Sequence, residues 1–169
     1  MVRVAATTCF GARRTLGGLR RHDAREAMIE ELEFRRWHEH ARRTLESARR
    51  DMGAGDHNWA CFKAEQAAQF AVKGLLRALG HEAFGHSLLR LLDDPADIGV
   101  GVPTAVQDAA RSLEALDIAS RYPDVYPSGT PSEFFDATRA AEAIDHARLV
   151  IRFTEERHRD GRDLEAEKS

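Results

Sequence analysis

The chain has 169 residues, 43% of them hydrophobic and 31% charged, which suits one domain with a sizeable core and excludes general disorder. Two cysteines, Cys9 and Cys61, exclude a disulfide framework, and no stretch approaches the roughly 20 apolar residues needed to cross a bilayer. The net charge of −3 hides an asymmetry: residues 1–25 hold six arginines against Asp23, a local +5 that leaves −8 elsewhere, which argues against a broad face built to neutralise phosphates.

Residues 1–25 lack a sustained apolar period, and Gly11, Gly17 and Gly18 punctuate them. They are expected to form a flexible, arginine-rich arm. No continuous apolar segment follows the arginines, so a secretory signal is not expected and a cytoplasmic location is. A first helix is predicted from Glu26 to Met52, with Ile29, Leu32, Phe34, Trp37, Ala41, Leu45 and Ala48 on its inner stripe. Gly53-Ala-Gly55 ends it.

The block from Asp56 to Gly80 then reads as one helix. Asp56 is the expected cap of its first turn and Gly80 the left-handed residue that closes it. Ala60, Ala64, Ala67, Ala71, Gly74 and Ala78 recur at helical spacing, with Trp59, Phe62, Phe70, Leu75, Leu76 and Leu79 beside them. Apolar surface on several sides predicts the central helix of a bundle. Its very short connection to the first helix predicts an antiparallel pair.

A short helix is predicted over residues 86–92, stopped by Asp93-Asp94-Pro95, and another from about Thr104 to Ala119. Three prolines exclude regular structure over residues 120–131. Thr130-Pro131-Ser132-Glu133 then predicts a capped helix start, with the last helix running to about Glu156. The charged residues 159–169 are expected to fray. No run alternates as a half-buried strand does. The predicted fold is all-α: an up-down-up-down four-helix bundle with an additional short helix, occupying residues 26–158.

Several ordered segments carry a resemblance. Trp37 with Ala41, Leu45 and Ala48 precedes Asn58-Trp-Ala-Cys-Phe-Lys-Ala-Glu-Gln-Ala-Ala68; then come Lys73-Gly-Leu-Leu-Arg-Ala-Leu-Gly80, His86-Ser-Leu-Leu-Arg-Leu-Leu92 and Arg121-Tyr-Pro-Asp124. Together they resemble the higher eukaryotes and prokaryotes nucleotide-binding (HEPN) domain, from roughly Trp37 to Phe153. The chain departs from that pattern at Gln69-Phe70, where many relatives carry an acidic residue followed by lysine. The resemblance implies a helical bundle, a homodimer, and in many prokaryotic members association with a minimal nucleotidyltransferase protein. Some branches are metal-independent RNA-cleaving toxins with an arginine and a histidine separated by four to six intervening residues; others are non-catalytic partners or nucleotide binders.

Arg139 and His146 fit the nuclease spacing and share a helix face, so Arg139 could hold a phosphate while His146 moves a proton. Ala140 stands where a polar residue is customary, and an arginine-rich helix makes such pairs by chance. Arg152 and His158, with five residues between them, also fit the spacing and are the weaker catalytic candidate. Arg121, Tyr122 and Asp124 form the leading ligand-binding candidate: a phosphate partner, a base-stacking ring and an acceptor on a backbone stiffened by Pro123. The competing reading is that they clasp the loop. Lys63, Gln66 and Lys73 interrupt the central helix and could line a groove, an interface or a nucleotide site. His86 is expected to be structural. No metal site or cofactor is expected, because the cysteines lack paired spacing and no phosphate-binding glycine loop is present. The leading expectation is a non-catalytic helical module that binds a nucleotide or a partner protein. The alternatives are an RNA-cleaving toxin, with RNA as its substrate, and a purely structural dimerisation or interaction domain. No membrane association is expected.

Overall fold

Two left-handed glycines set the ends of the central hairpin. The computed structural model describes residues 16–93 and 101–166. Helix α1 spans Leu16–Ala54 and α2 spans His57–Ala78. Gly55 takes φ +90° and Gly80 φ +73°, a region that a side chain on Cβ disfavours. Each closes its helix in the same way: Asp56 N–H donates to Asp51 O and Gly55 N–H to Met52 O, while His81 N–H donates to Leu76 O and Gly80 N–H to Arg77 O. This paired closure satisfies carbonyls that would otherwise be orphaned. Gly80 therefore acts as expected. Asp56 does not, because its side chain makes no capping bond to α2.

Helix α3 spans Leu88–Asp93, α4 spans Thr104–Glu114 and α5 spans Leu116–Ala119, the last two separated by a local break at Ala115. Ser87 Oγ accepts from Arg90 N–H, and Glu114 of α4 accepts from both Ser87 Oγ (2.8 Å) and Leu89 N–H (2.7 Å). A carboxylate on α4 thus fixes the start of α3. Helix α6 spans Ala137–Ala166.

Three boundaries differ from the expected ones. Helix α1 begins at Leu16 rather than Glu26; Leu19, Arg20, Arg21, Ala24 and Arg25 are good helix formers once Gly18 is passed. Of the arm expected over residues 1–25, residues 1–15 lie outside the described residues. At the other end α6 continues past His158 to Ala166, so most of the expected charged tail is helical, and residues 167–169 lie outside the description. The last helix also starts late. Glu133 does accept from Thr130 N–H (2.8 Å), but this box closes only a 3₁₀ turn, Pro131–Glu133. Phe135 then enters the core, and Asp136, a stronger cap than threonine, accepts from Arg139 N–H at 2.8 Å and starts α6.

Among the described residues the chain is helical and contains no strand. Helix α2 packs most extensively on α1 and α6 and also touches α3, α4 and α5, the central position its sequence predicts. Its seam is alanine-rich: Ala60, Ala64, Ala67, Ala68 and Ala71 are fully buried against Ala41 and Ala48 of α1 and Ala140 and Ala147 of α6. Small side chains let helix backbones approach closely, and Val72, Leu75, Leu76, Leu113, Ile144 and Val150 fill the remaining space. The result is the four-helix bundle with an additional short helix. No described helix is long and apolar enough to cross a membrane.

Candidate functional site

The end of the bundle where α2 begins and α5 finishes gathers the leading sequence candidates. Asn58 Nδ2 donates to Ser120 O (3.0 Å) and so fixes the end of α5 against the first turn of α2. This places Arg121 across Phe62, with its guanidinium carbon 4.5 Å from the ring centroid and 5.1 Å from that of Tyr122. Arg121 Nη2 pairs with Asp117 Oδ1 at 2.9 Å, and Nε donates to Asp117 O at 2.9 Å. A planar cation pinned by one carboxylate and resting on an aromatic face is rigid. Trp59 meets Phe62 edge-on, with centroids 6.2 Å apart, and is 46% exposed; Tyr122 is 47% exposed.

Tyr122 leads into a 3₁₀ turn, Pro123–Val125, on which Asp124 is exposed. The loop is anchored one residue later. Tyr126 donates its hydroxyl to Ala119 O (2.9 Å) and stacks on Phe134 with centroids 4.0 Å apart. Trp59 and Phe62, read from sequence as core bulk, therefore belong with Arg121 and Tyr122. Their i, i+3 spacing was visible; the packing of Arg121 over Phe62 was not.

Lys63, Gln66 and Lys73 do not join this cluster and do not form one site. Lys63 bridges back to α1, donating to Ser47 Oγ (3.1 Å) and pairing with Asp51. Gln66 Nε2 donates to Glu65 Oε2 at 2.7 Å. Glu65 is wholly buried, and Gln69 Nε2 donates to its Oε1 (2.6 Å) and to His86 O. His86 thus contributes its backbone carbonyl. Burial pushes the Glu65 carboxyl up to about 7, against the opposing hydrogen bond from Gln69. Lys73 is buried, and desolvation lowers its pKa while Glu65 acts in the other direction. Glu65 and Gln69 went unnoticed in sequence because a glutamate on a helix is ordinarily solvated.

The two arginine–histidine pairs have different surroundings. Arg139 lies over Phe135, 4.4 Å from the ring centroid, and its Nη1 donates to Phe134 O (3.3 Å), while His146 is half-buried further along α6. His158 stacks on Phe34 at 3.6 Å and bonds Glu31 at 2.9 Å, away from the exposed Arg152. Cys61 is fully buried, and burial raises its thiol to about 11, far from a reactive thiolate. His38 is also buried. It bonds Thr154 Oγ1 at 2.8 Å, and desolvation holds it down at about 4. Among the described residues no group of three or more His, Cys, Asp and Glu side chains is arranged to hold a metal ion.

A separate groove of about 310 Å³ runs between α1 and α6. Leu45 and Ile151 form its floor; Arg42 and Arg49 line it from α1, Arg148 and Arg152 from α6, together with Glu46 and Glu155. Arg42 pairs with Glu155 and Arg49 with Glu46. Arg148 pairs with Asp145 at 3.0 Å, and Arg152 has no ion-pair partner among the described residues.

Comparison with known proteins places this geometry in context. The HEPN domain profile matches residues 34–157. A crystal structure of a Thermus thermophilus protein is 44% identical, with a TM-score of 0.70, and the match covers 73% of this chain and 96% of that one. An archaeal HEPN homologue is 34% identical, with a TM-score of 0.64 and coverage of 74% and 97%. A HEPN domain protein from Thermotoga maritima is 32% identical, with a TM-score of 0.59 and coverage of 72% and 95%. No curated protein matches at a significant level.

Proposed function

The chain belongs to the HEPN domain family, and on that premise we propose that it is a non-catalytic helical module that binds a nucleotide at the α2–α5 end and works with a partner protein. A homodimer and a minimal nucleotidyltransferase partner are parts of the same proposal, carried by the family resemblance. The observation that carries the nucleotide reading is the setting of Arg121. Its guanidinium is fixed by Asp117 and Phe62 next to the exposed ring of Tyr122, and the exposed Trp59 meets Phe62 edge-on. Rings of this kind stack on a base, and a fixed guanidinium pairs with a phosphate. The non-catalytic part is supported by the local sequence of the Arg139–His146 pair, where Ala140 stands in place of the customary polar residue.

The test is a calorimetric titration with ATP, GTP and their monophosphates, accompanied by tryptophan fluorescence in wild type and Tyr122→Ala, with light scattering of the same samples. Stacking quenches Trp59, and Tyr122→Ala and Trp59→Ala each weaken binding by about tenfold, as stacking of about 1–3 kcal/mol per base implies. Absence of saturable binding, or binding indifferent to both changes, removes the nucleotide reading and leaves an interaction module.

A further inference from the structure

The α1–α6 groove lies outside that end of the bundle and carries a different chemistry. Its lining holds four arginines against two glutamates, Glu46 and Glu155, an excess of two positive charges over an apolar floor. The glutamates pair with Arg42 and Arg49, so the two α1 guanidinia are held at the groove. On α6 the restraint is weaker. Arg148 has one exposed i, i+3 pair with Asp145, and Arg152 is uncommitted among the described residues. Arg42 and Arg49 are two helical turns apart, roughly 10 Å along α1, and Arg148 and Arg152 are one turn apart, roughly 6 Å along α6. Cations spread over that length match a chain of anionic groups better than a single one. Guanidinia also present forked donors suited to phosphate oxygens. No aromatic ring lines the groove, so nothing there selects a base.

We propose that the α1–α6 groove is a base-indifferent oligophosphate site, in which Arg42, Arg49, Arg148 and Arg152 grip a chain of two or more phosphate groups. That chemistry is shared by inorganic polyphosphate and by the phosphate tail of a nucleoside triphosphate. The groove binds either source through its phosphates alone. The proposal stands independently of the aromatic end, because none of the residues there takes part.

The experiment is calorimetric titration of the full chain with sodium tripolyphosphate, ATP, AMP and orthophosphate. In Trp59→Ala/Tyr122→Ala, which removes both exposed rings of the aromatic end and leaves the groove intact, tripolyphosphate and ATP saturate the protein with affinities within about threefold of each other, AMP and orthophosphate bind at least about tenfold more weakly, and added salt weakens all of them. Arg148→Gln/Arg152→Gln, folded by circular dichroism, lowers tripolyphosphate affinity by about tenfold or more. A control pair, Arg90→Gln/Arg111→Gln, removes the same charge from exposed positions on α3 and α4 and leaves affinity within about twofold. The ATP arm is repeated in wild type, where affinity in excess of that of the ring-deleted protein belongs to the aromatic end. Tripolyphosphate that fails to saturate overturns the proposal. So does equal weakening by the control pair, which marks bulk electrostatics, and so does ATP binding tenfold more tightly than tripolyphosphate in Trp59→Ala/Tyr122→Ala, which requires a base contact in the groove.

Discussion

Two buried side chains titrate in opposite senses. His38 lies under α6 with Nε2 on the Thr154 hydroxyl, and burial lowers its pKa from 6.5 to about 4. Between those values the unfolded chain binds the proton and the folded one does not. Stability from His38 is therefore lost as pH falls from 6.5 through 4, on the order of 3 kcal/mol in all. Glu65 is buried among Gln66 and Gln69, and its pKa is raised from 4.5 to about 7. Its neutral form belongs to the fold, so its contribution is fully present below pH 4.5 and is lost as pH rises through 7, again on the order of 3 kcal/mol. Between pH 4.5 and 6.5 the two slopes oppose and nearly cancel. Each substitution uncovers the other slope. In urea unfolding across that window, His38→Gln becomes less stable relative to wild type as pH rises, and Glu65→Gln becomes relatively more stable. Parallel profiles for wild type and both variants would remove these groups as the titrating pair.

At the scale of the element, the α1–α2 contact is set by how little Gly74 carries. A Cβ added there would lie 2.9 Å from Trp37 Cβ, with Phe34 O and His38 N close behind. These atoms belong to or adjoin the α1 backbone and cannot swing aside. Gly74→Ala gains helix propensity of about 1 kcal/mol but incurs overpacking of typically 1–3 kcal/mol, so net destabilisation of about 1 kcal/mol is expected. Gly53, inside the last turn of α1, is the contrasting case, since a Cβ there meets nothing within 4 Å. Gly53→Ala is expected to stabilise by about 0.5–1 kcal/mol. Shifts of the urea midpoint in opposite directions check both; a stabilised Gly74→Ala would mean that the helices separate more readily than their packing suggests. Much of this level was legible. Apolar spacing on α2 announced a helix buried on several sides, and Gly80 announced its end. The start of α6 was misread because Thr130 and Glu133 do form a box. Only the packing of Phe135 shows that the chain turns again and that Asp136 opens the long helix.

At the scale of the whole molecule, what sequence conceals is which distant faces meet. The α1–α6 groove joins residues about a hundred positions apart. Arg49 and Arg148 each have an acidic partner three residues away, so in sequence each looks like part of a solvated helix face. Arg121 and Tyr122 were recognisable because they lie beside a proline in an irregular segment, yet the contact of Arg121 with Phe62 is a product of the fold. Arg139 and His146 are the converse, a spacing that sequence offers readily and whose surroundings argue for a structural use. Arg139 covers Phe135, bonds the Phe134 carbonyl through its side chain and gives its backbone amide to Asp136, which joins it to the start of α6. Arg139→Ala is accordingly expected to lower stability by about 1 kcal/mol through lost packing and a lost charge-assisted bond. His146→Ala, at a half-buried position with no hydrogen bond among the described residues, is expected to change it by less. Pure protein is expected to leave transfer and messenger RNA uncut. Thermal unfolding and an RNA-cleavage assay of wild type and both variants test the two expectations together. Robust cleavage abolished by each change, with fold and assembly intact, would mean that the two side chains converge on a phosphate, within the roughly 3 Å that proton transfer requires. The structural reading of Arg139 would then yield to a catalytic one.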